Sequence, residues 1–236
     1  MPRRSRPQPA RPRLKLPARP RKSLGQHFLT DATILDRIVR ESDVGPEDTV
    51  IEIGPGTGEL TAHLVQAARW VIAVEIDETL ARHVRRRLAA ADNLHVLRTD
   101  VLDHTPAELL AQADASPPYG RTAVRPYQVI ANIPYYITAP ILRTFLETPD
   151  QPQRMTLMMQ KEVAESLVAR PGKMSLLGVS VQFYGDAHLL FVVPPEAFYP
   201  PPKVASAVVR IDVRDHPAVD VPDVAFFFDV VRAGFS

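Results

Sequence analysis

Apolar positions along the chain follow two alternating rhythms. Ile34, Leu35, Ile38 and Val39 recur at helical spacing, and Asp31 stands where a carboxylate can cap the first turn. Thr49-Val50-Ile51-Glu52-Ile53 then reads as a buried strand running into Gly54-Pro55-Gly56-Thr57-Gly58. Leu60 and Leu64 mark a second helix, 71–75 a second strand, and Leu80, Val84 and Leu88 stripe a third helix. The other faces of that helix hold Arg82, Arg85, Arg86 and Arg87, which read as a solvated face in preference to an RNA contact. The alternation continues with strands at 94–97, 127–131 and 155–159, helices at 139–146, 161–168 and 175–183, and strands at 189–193 and 205–211. Part of the stretch from Thr105 to Arg125, with Ser116-Pro117-Pro118 and Gly120, reads as a surface loop. Strand and helix in repeated alternation predict an α/β fold with a mostly parallel sheet covered on both faces.

Composition adds three exclusions and one asymmetry. The 236 residues include no cysteine, which removes disulfides, thiolate metal sites and cysteine nucleophiles, and fits a cytoplasmic protein. No apolar run approaches the roughly 20 residues a membrane helix needs. The seven histidines are scattered, with no metal-ligand spacing. Net charge is +1, yet nine of the 28 basic residues fall before residue 23, and the first 30 residues contain no acid. Residues 1–22 therefore read as a disordered, basic, Pro/Arg-rich arm on an acidic body, suited to phosphate contacts.

Candidate chemistry sits at the ends of successive predicted strands, where an open α/β sheet binds ligands. The glycines of the Gly54 turn allow close approach of backbone to ligand. Glu75, 21 residues after Gly54, ends the second strand, where a carboxylate can accept from both ribose hydroxyls of a nucleoside cofactor. Asp100 ends the third strand, placed to meet an adenine amino group. The fourth strand ends in Asn132-Ile133-Pro134-Tyr135. Asn132 offers a side-chain acceptor, the carbonyl of Ile133 or Pro134 a second, and Tyr135 a flat face for an unstacked base. That set suits methylation of an adenine amine and speaks against a dinucleotide oxidoreductase.

With these residues the sequence resembles the rRNA adenine N6,N6-dimethyltransferases, which include small-subunit (KsgA-type) and large-subunit (Erm-type) enzymes. The resemblance also rests on Leu24-Gly25-Gln26-His27-Phe28-Leu29, Glu75-Ile76-Asp77, Met159-Gln160-Lys161-Glu162-Val163 and Phe198-Tyr199-Pro200-Pro201-Pro202-Lys203-Val204. It implies a class I S-adenosylmethionine-dependent methyltransferase fold, Rossmann-like, with a seven-stranded sheet over residues 23–212. By the same resemblance, Gln26, His27 and Leu29 close over the methionine end of S-adenosyl-L-methionine, and Gly54 and Gly56 lie beneath it. Glu75 holds the ribose, Asp100 and Val101 frame the adenine, and Asn132 borders the cofactor as well. Catalysis is implied for Asn132, Ile133, Pro134 and Tyr135, with Phe183 facing Tyr135 across the target base.

His27 stands where many members have asparagine, and reads as an exposed variant without a base role. Ala205 replaces an expected aspartate. Residues 213–236 resemble the opening of the family's small helical C-terminal domain, so the chain reads as a fragment, with Phe226 to Phe228 lacking packing partners. The implied activity is methylation of two adjacent adenines near the 3′ end of small-subunit rRNA during ribosome biogenesis, by a monomer acting on the subunit or its precursor. An Erm-type enzyme and a catalytically weak RNA-binding relative are the rival readings. Retention of Glu75, Asp100 and the Asn132 motif favours an enzyme.

Overall fold

The computed structural model describes residues 20–21, 25–113 and 126–235. Its elements run in chain order as β1 (Phe28–Leu29), α1 (Ala32–Ser42), β2 (Thr49–Ile53), α2 (Glu59–Ala67), β3 (Trp70–Val74), α3 (Glu78–Arg87), β4 (Leu94–Leu97) and α4 (Pro106–Ala113). There follow β5 (Tyr127–Asn132), α5 (Thr138–Leu146), β6 (Arg154–Gln160), α6 (Lys161–Leu167), α7 (Leu176–Tyr184), β7 (Gly185–Val193), β8 (Phe198–Tyr199), β9 (Ser206–Val213) and α8 (Val224–Gly234).

Seven strands form one sheet in the order β4-β3-β2-β5-β6-β9-β7, and only β9 runs against its neighbours. The period-2 alternation of strand side chains divides the core in two. Ile51, Ile53, Val129, Leu157 and Val209 face one layer with Ile141, Phe145 and Leu167 of the helices. Val50, Val71, Ile130 and Val208 face the other, against Leu35 and Ile38 of α1 and Leu60 and Leu64 of α2. A fully buried side chain of this size contributes roughly 1.5–3 kcal/mol, so both layers are needed to hold the central strands. The chain reverses its direction of winding between β2 and β5, and helices leave to opposite faces there, opening a crevice at the strand ends.

Local chemistry explains the helix starts. Asp31 accepts from Thr33 N at 3.0 Å, and Asp77 accepts from Thr79 N at 2.8 Å and Leu80 N at 3.2 Å. α4 fills the first part of the stretch from Thr105 to Arg125, ahead of the residues that carry the loop reading. Thr105 and Glu108 there form a reciprocal cap, with Glu108 N donating to Thr105 Oγ1 at 3.2 Å and Thr105 N to Glu108 Oε2 at 2.8 Å. The loop expected around Ser116 to Gly120, and all of the arm except Pro20 and Arg21, lie outside the described residues. The arginines of α3 are largely engaged within the fold. Arg82 pairs with Glu78, Arg85 donates to the Val96 carbonyl, and Arg87 binds both Glu59 and the Thr57 carbonyl.

Phe226 to Phe228 differ from expectation. Phe227 stacks on Phe183 at 4.9 Å, and Phe228 is buried edge-on against the same ring at 5.2 Å; only Phe226 faces solvent. Among the described residues no helix is long and apolar enough to cross a membrane.

Candidate active site

One cavity at the strand ends gathers residues from six separate segments. Gly25 to Leu29 form one wall, the β2–α2 turn the floor, Glu75 and Ile76 with 99–102 one end, and Asn132 to Ile137 with Phe198 the other. Gln26, His27, Leu29, Gly54, Gly56, Glu75, Asp100, Val101, Asn132, Ile133, Pro134 and Tyr135 all line it.

The floor is built from backbone. Gly56 adopts φ +58°, and a Cβ there would meet the Phe28 ring at 3.0 Å, so only glycine lets the 25–29 segment close over the turn. Its N–H donates to Glu75 Oε2 at 3.1 Å, while Asp77 N donates to Glu75 Oε1 at 2.9 Å. These two bonds aim the carboxylate into the cavity and leave a lone pair on each oxygen. Burial raises the Glu75 pKa, and the two N–H donors partly offset that. Asp100 Oδ1 accepts from Leu102 N at 3.0 Å, capping a single 3-10 turn, and its other oxygen has no hydrogen bond among the described residues.

Beneath the floor, Glu52 is 1% exposed and its Oε2 has no hydrogen-bond partner. Burial, with the neighbouring Glu75 charge adding to it and Thr61 opposing it, pushes its pKa up to about 8. No signal beyond its place before Gly54 marked this residue in the sequence.

At the other end, Asn132 Nδ2 donates to the His27 carbonyl at 3.1 Å. A carbonyl can only accept, so this bond fixes the amide orientation and leaves Oδ1 as the free acceptor. Ile133 N donates to the Met158 carbonyl at 3.0 Å, anchoring the motif to β6. The Pro134 carbonyl accepts Ile137 N at 3.1 Å, closing a turn, whereas the Ile133 carbonyl accepts nothing among the described residues. Of the two carbonyls open on the sequence, Ile133 is the one left available. Tyr135 is held through its hydroxyl, 2.8 Å from the Oγ of fully buried Ser206. Burial raises the Tyr135 pKa, so the phenol stays neutral.

His27 is half-buried rather than exposed. Its Nδ1 lies 2.7 Å from the Pro200 carbonyl, which requires a proton on that nitrogen, and its ring is 22° from parallel with Tyr135 at 6.3 Å. β1 pairs with β8, placing Phe28 opposite Tyr199 and Leu29 opposite Phe198. The 25–30 segment is thereby strapped to the Pro-rich loop, with Thr30 N donating to the Ala197 carbonyl at 2.9 Å.

Phe183 is not part of this site. Its ring is 3% exposed and packed among Tyr184, Phe227 and Phe228, because α7 turns it towards α8. Besides Phe28, Tyr135 and Tyr136, the cavity is lined by Phe198 of the Pro-rich motif, a ring to which the sequence alone assigns no role.

Residues 18–236 match the family described as ribosomal RNA adenine dimethylase. The chain is 44% identical to Ribosomal RNA small subunit methyltransferase A of Dehalococcoides mccartyi, over 92% of this chain and 71% of that protein. It is 43% identical to the protein of the same name from Moorella thermoacetica, over 92% and 75%. Among solved structures, the 23S rRNA methyltransferase ErmE superposes with a TM-score of 0.73 at 30% identity, covering 88% of this chain and 78% of that one. The fold is that of the class I S-adenosylmethionine-dependent methyltransferases, and the chain belongs to the ribosomal RNA adenine dimethylase family.

Proposed function

We propose that this chain transfers methyl groups from S-adenosylmethionine to N6 of two adjacent adenines near the 3′ end of small-subunit rRNA, as a step in ribosome biogenesis. The observation that carries the reading is the orientation of Asn132. With Nδ2 held by the His27 carbonyl, Oδ1 and the Ile133 carbonyl form a pair of acceptors matched to the two protons of an exocyclic amine. The small-subunit target follows the names of the relatives at 43–44% identity.

The residues present fit the cofactor. Each Glu75 oxygen keeps a lone pair for a ribose hydroxyl, Asp100 keeps an oxygen for the adenine amine, and Ile76 and Val101 offer apolar surface to the ring. The orphaned Glu52 carboxyl suits the cationic methionine end. Gln26, His27 and Leu29 form the wall over that end, and Gly54 and Gly56 the floor. When bound, the cofactor supplies an electrophilic methyl on a sulfonium.

The amine of adenine is a poor nucleophile because its lone pair is delocalised into the ring. Asn132 Oδ1 and the Ile133 carbonyl draw on its protons and favour the pyramidal amine, whose lone pair then forms the N–C bond as the C–S bond breaks. The extra proton on nitrogen leaves to water, so no general base is needed. Tyr135, fixed by Ser206, and Phe198 hold the unstacked base. The nine cations before residue 23 add phosphate affinity without sequence choice, and the chain leaves the sheet after Val213 to form α8.

Labelled methyl transfer to purified small and large ribosomal subunits, with mapping of the modified base, tests this. Label on two neighbouring adenines of the small subunit is expected. Label confined to one large-subunit adenine would move the chain to the activity named for ErmE.

A further inference from the structure

Tyr135 and Tyr136 are consecutive, yet they face opposite ways. Tyr135 points inward to Ser206, while Tyr136 lines the mouth of the same cavity and is 60% exposed. Its hydroxyl has no hydrogen-bond partner among the described residues. One edge of its ring lies against Gly25, where a Cβ would sit 3.6 Å from Cδ1 and Cε1. Gly25 has φ +56°, so the strap braces the ring without covering it. The 3-10 turn Tyr135–Ile137, closed by Ile137 N to the Pro134 carbonyl, fixes the ring at the rim.

A large ring held rigidly with one face open is a stacking platform. Its occupant follows from where the ring stands. To reach Tyr135 inside the cavity the reacting adenine must leave its stack, and the nucleotide covalently joined to it stays behind at the mouth. Tyr136 presents its open face at that mouth.

We infer that Tyr136 is a subsite for the nucleobase adjoining the reacting adenine, which for a two-adenine target is the second adenine. This rests on the proposed rRNA activity and adds to it a place where the waiting base is held while its neighbour is methylated. Stacking reads a π-face and not a base edge, so the subsite accepts any base and prefers purines for their area.

The test is a double-mutant cycle on reconstituted small subunits. Their rRNA carries either both adenines or one adenine with an abasic neighbour, and the enzyme is wild type or Tyr136→Ala. Tyr136→Ala is expected to raise the KM for intact subunits about tenfold with little change in kcat. The abasic neighbour should do the same to wild type, the two losses should not add, and Tyr136→Trp should restore the intact KM. Additive losses, or an unchanged KM in Tyr136→Ala, overturn the inference. So does a result in which Tyr136→Ala weakens cofactor binding while the abasic penalty persists, since the ring then only braces the strap. Tyr199, 52% exposed on β8 but outside the cavity lining, is the control, and coupling there instead of at Tyr136 also overturns the assignment. If wild type methylates no adenine in intact subunits, the failure belongs to the proposed function; if it does but the cycle is additive, only the subsite falls.

Discussion

Glu52 makes the stability of the protein depend on pH in an unusual direction for a carboxylate. Its side chain lies under the Gly54 turn, 1% exposed, with Oε2 unpartnered, and its pKa stands at about 8 against 4.5 for the free group. Between those values the native state keeps a proton that the unfolded chain has lost. Unfolding releases that proton, so stability falls as pH rises from about 4.5 to about 8 and then levels off. A displacement of this size, at 1.36 kcal/mol per unit, corresponds to about 5 kcal/mol across the window. That is a large share of the 5–15 kcal/mol typical of a domain. Glu52→Gln keeps the shape and removes the titration. Urea unfolding at a series of pH values from 5 to 8 should show wild type losing stability by about 1.4 kcal/mol per unit relative to the variant. Parallel curves would refute the buried, protonated assignment. Cofactor binding supplies an independent check. A cation seated against Glu52 draws out its proton, so calorimetry at pH 7 in buffers of different ionisation enthalpy should reveal proton release in wild type and none in Glu52→Gln.

Four further outcomes follow. Glu75→Ala should weaken S-adenosylmethionine binding at least tenfold by calorimetry while the protein stays folded, since charge-assisted bonds to two hydroxyls are worth roughly 1.5–3 kcal/mol each; unchanged affinity removes the ribose role. Asn132→Ala should lower single-turnover methylation on the order of a hundredfold with cofactor affinity little changed, and a near-normal rate would defeat the two-acceptor account. Phe198→Leu, which keeps the bulk of a core ring that is 4% exposed but removes its flat face, should impair turnover on rRNA while the protein stays folded, whereas Phe183→Ala should cost about 3–5 kcal/mol of stability, read by urea unfolding, and leave the KM for rRNA alone; the reverse pattern would reinstate Phe183 in the site. His27→Asn, which keeps a donor for Pro200, should retain more activity than His27→Phe, which keeps only the ring, and the opposite ranking would make the contact with Tyr135 the more important one.

The sheet was readable because its strands are buried on both faces and flanked by amphipathic helices, so each announces itself locally. Thr49–Ile53 and Tyr127–Asn132 needed nothing beyond their apolar runs and the turn residues after them. α4 is harder to assign from sequence because its eight residues carry little apolar period, although Thr105 and Glu108 already spell a reciprocal cap. β1 and β8 were out of reach for a different reason. Each is two residues long, and each exists only through pairing with the other across 170 positions of chain. No local periodicity encodes such a contact.

The same limit governs the site. Glu75, Asp100 and Asn132 were legible because each ends a strand, and strand ends in a parallel sheet converge on one edge whatever the intervening sequence. Phe198, the ring proposed to hold the base together with Tyr135, comes from no strand of that sheet, so its position depends on how the Pro-rich loop folds back. That return is dictated by the strap. Leu29 pairs with Phe198, Thr30 holds Ala197, and His27 holds Pro200, which together bring Phe198 to the cavity. The carbonyl of that same His27 orients Asn132. A helix such as α7, by contrast, commits its aromatic residues to whichever neighbour covers it, and α8 covers Phe183. The strap thus orients Asn132 and brings Phe198 to the cavity, while its Phe28 ring closes on Gly56. On the proposed function the base and cofactor sites share this wall and cannot be ordered independently, and this is why the residue beside Phe28, read from sequence as an exposed variant, stands at the centre of the arrangement.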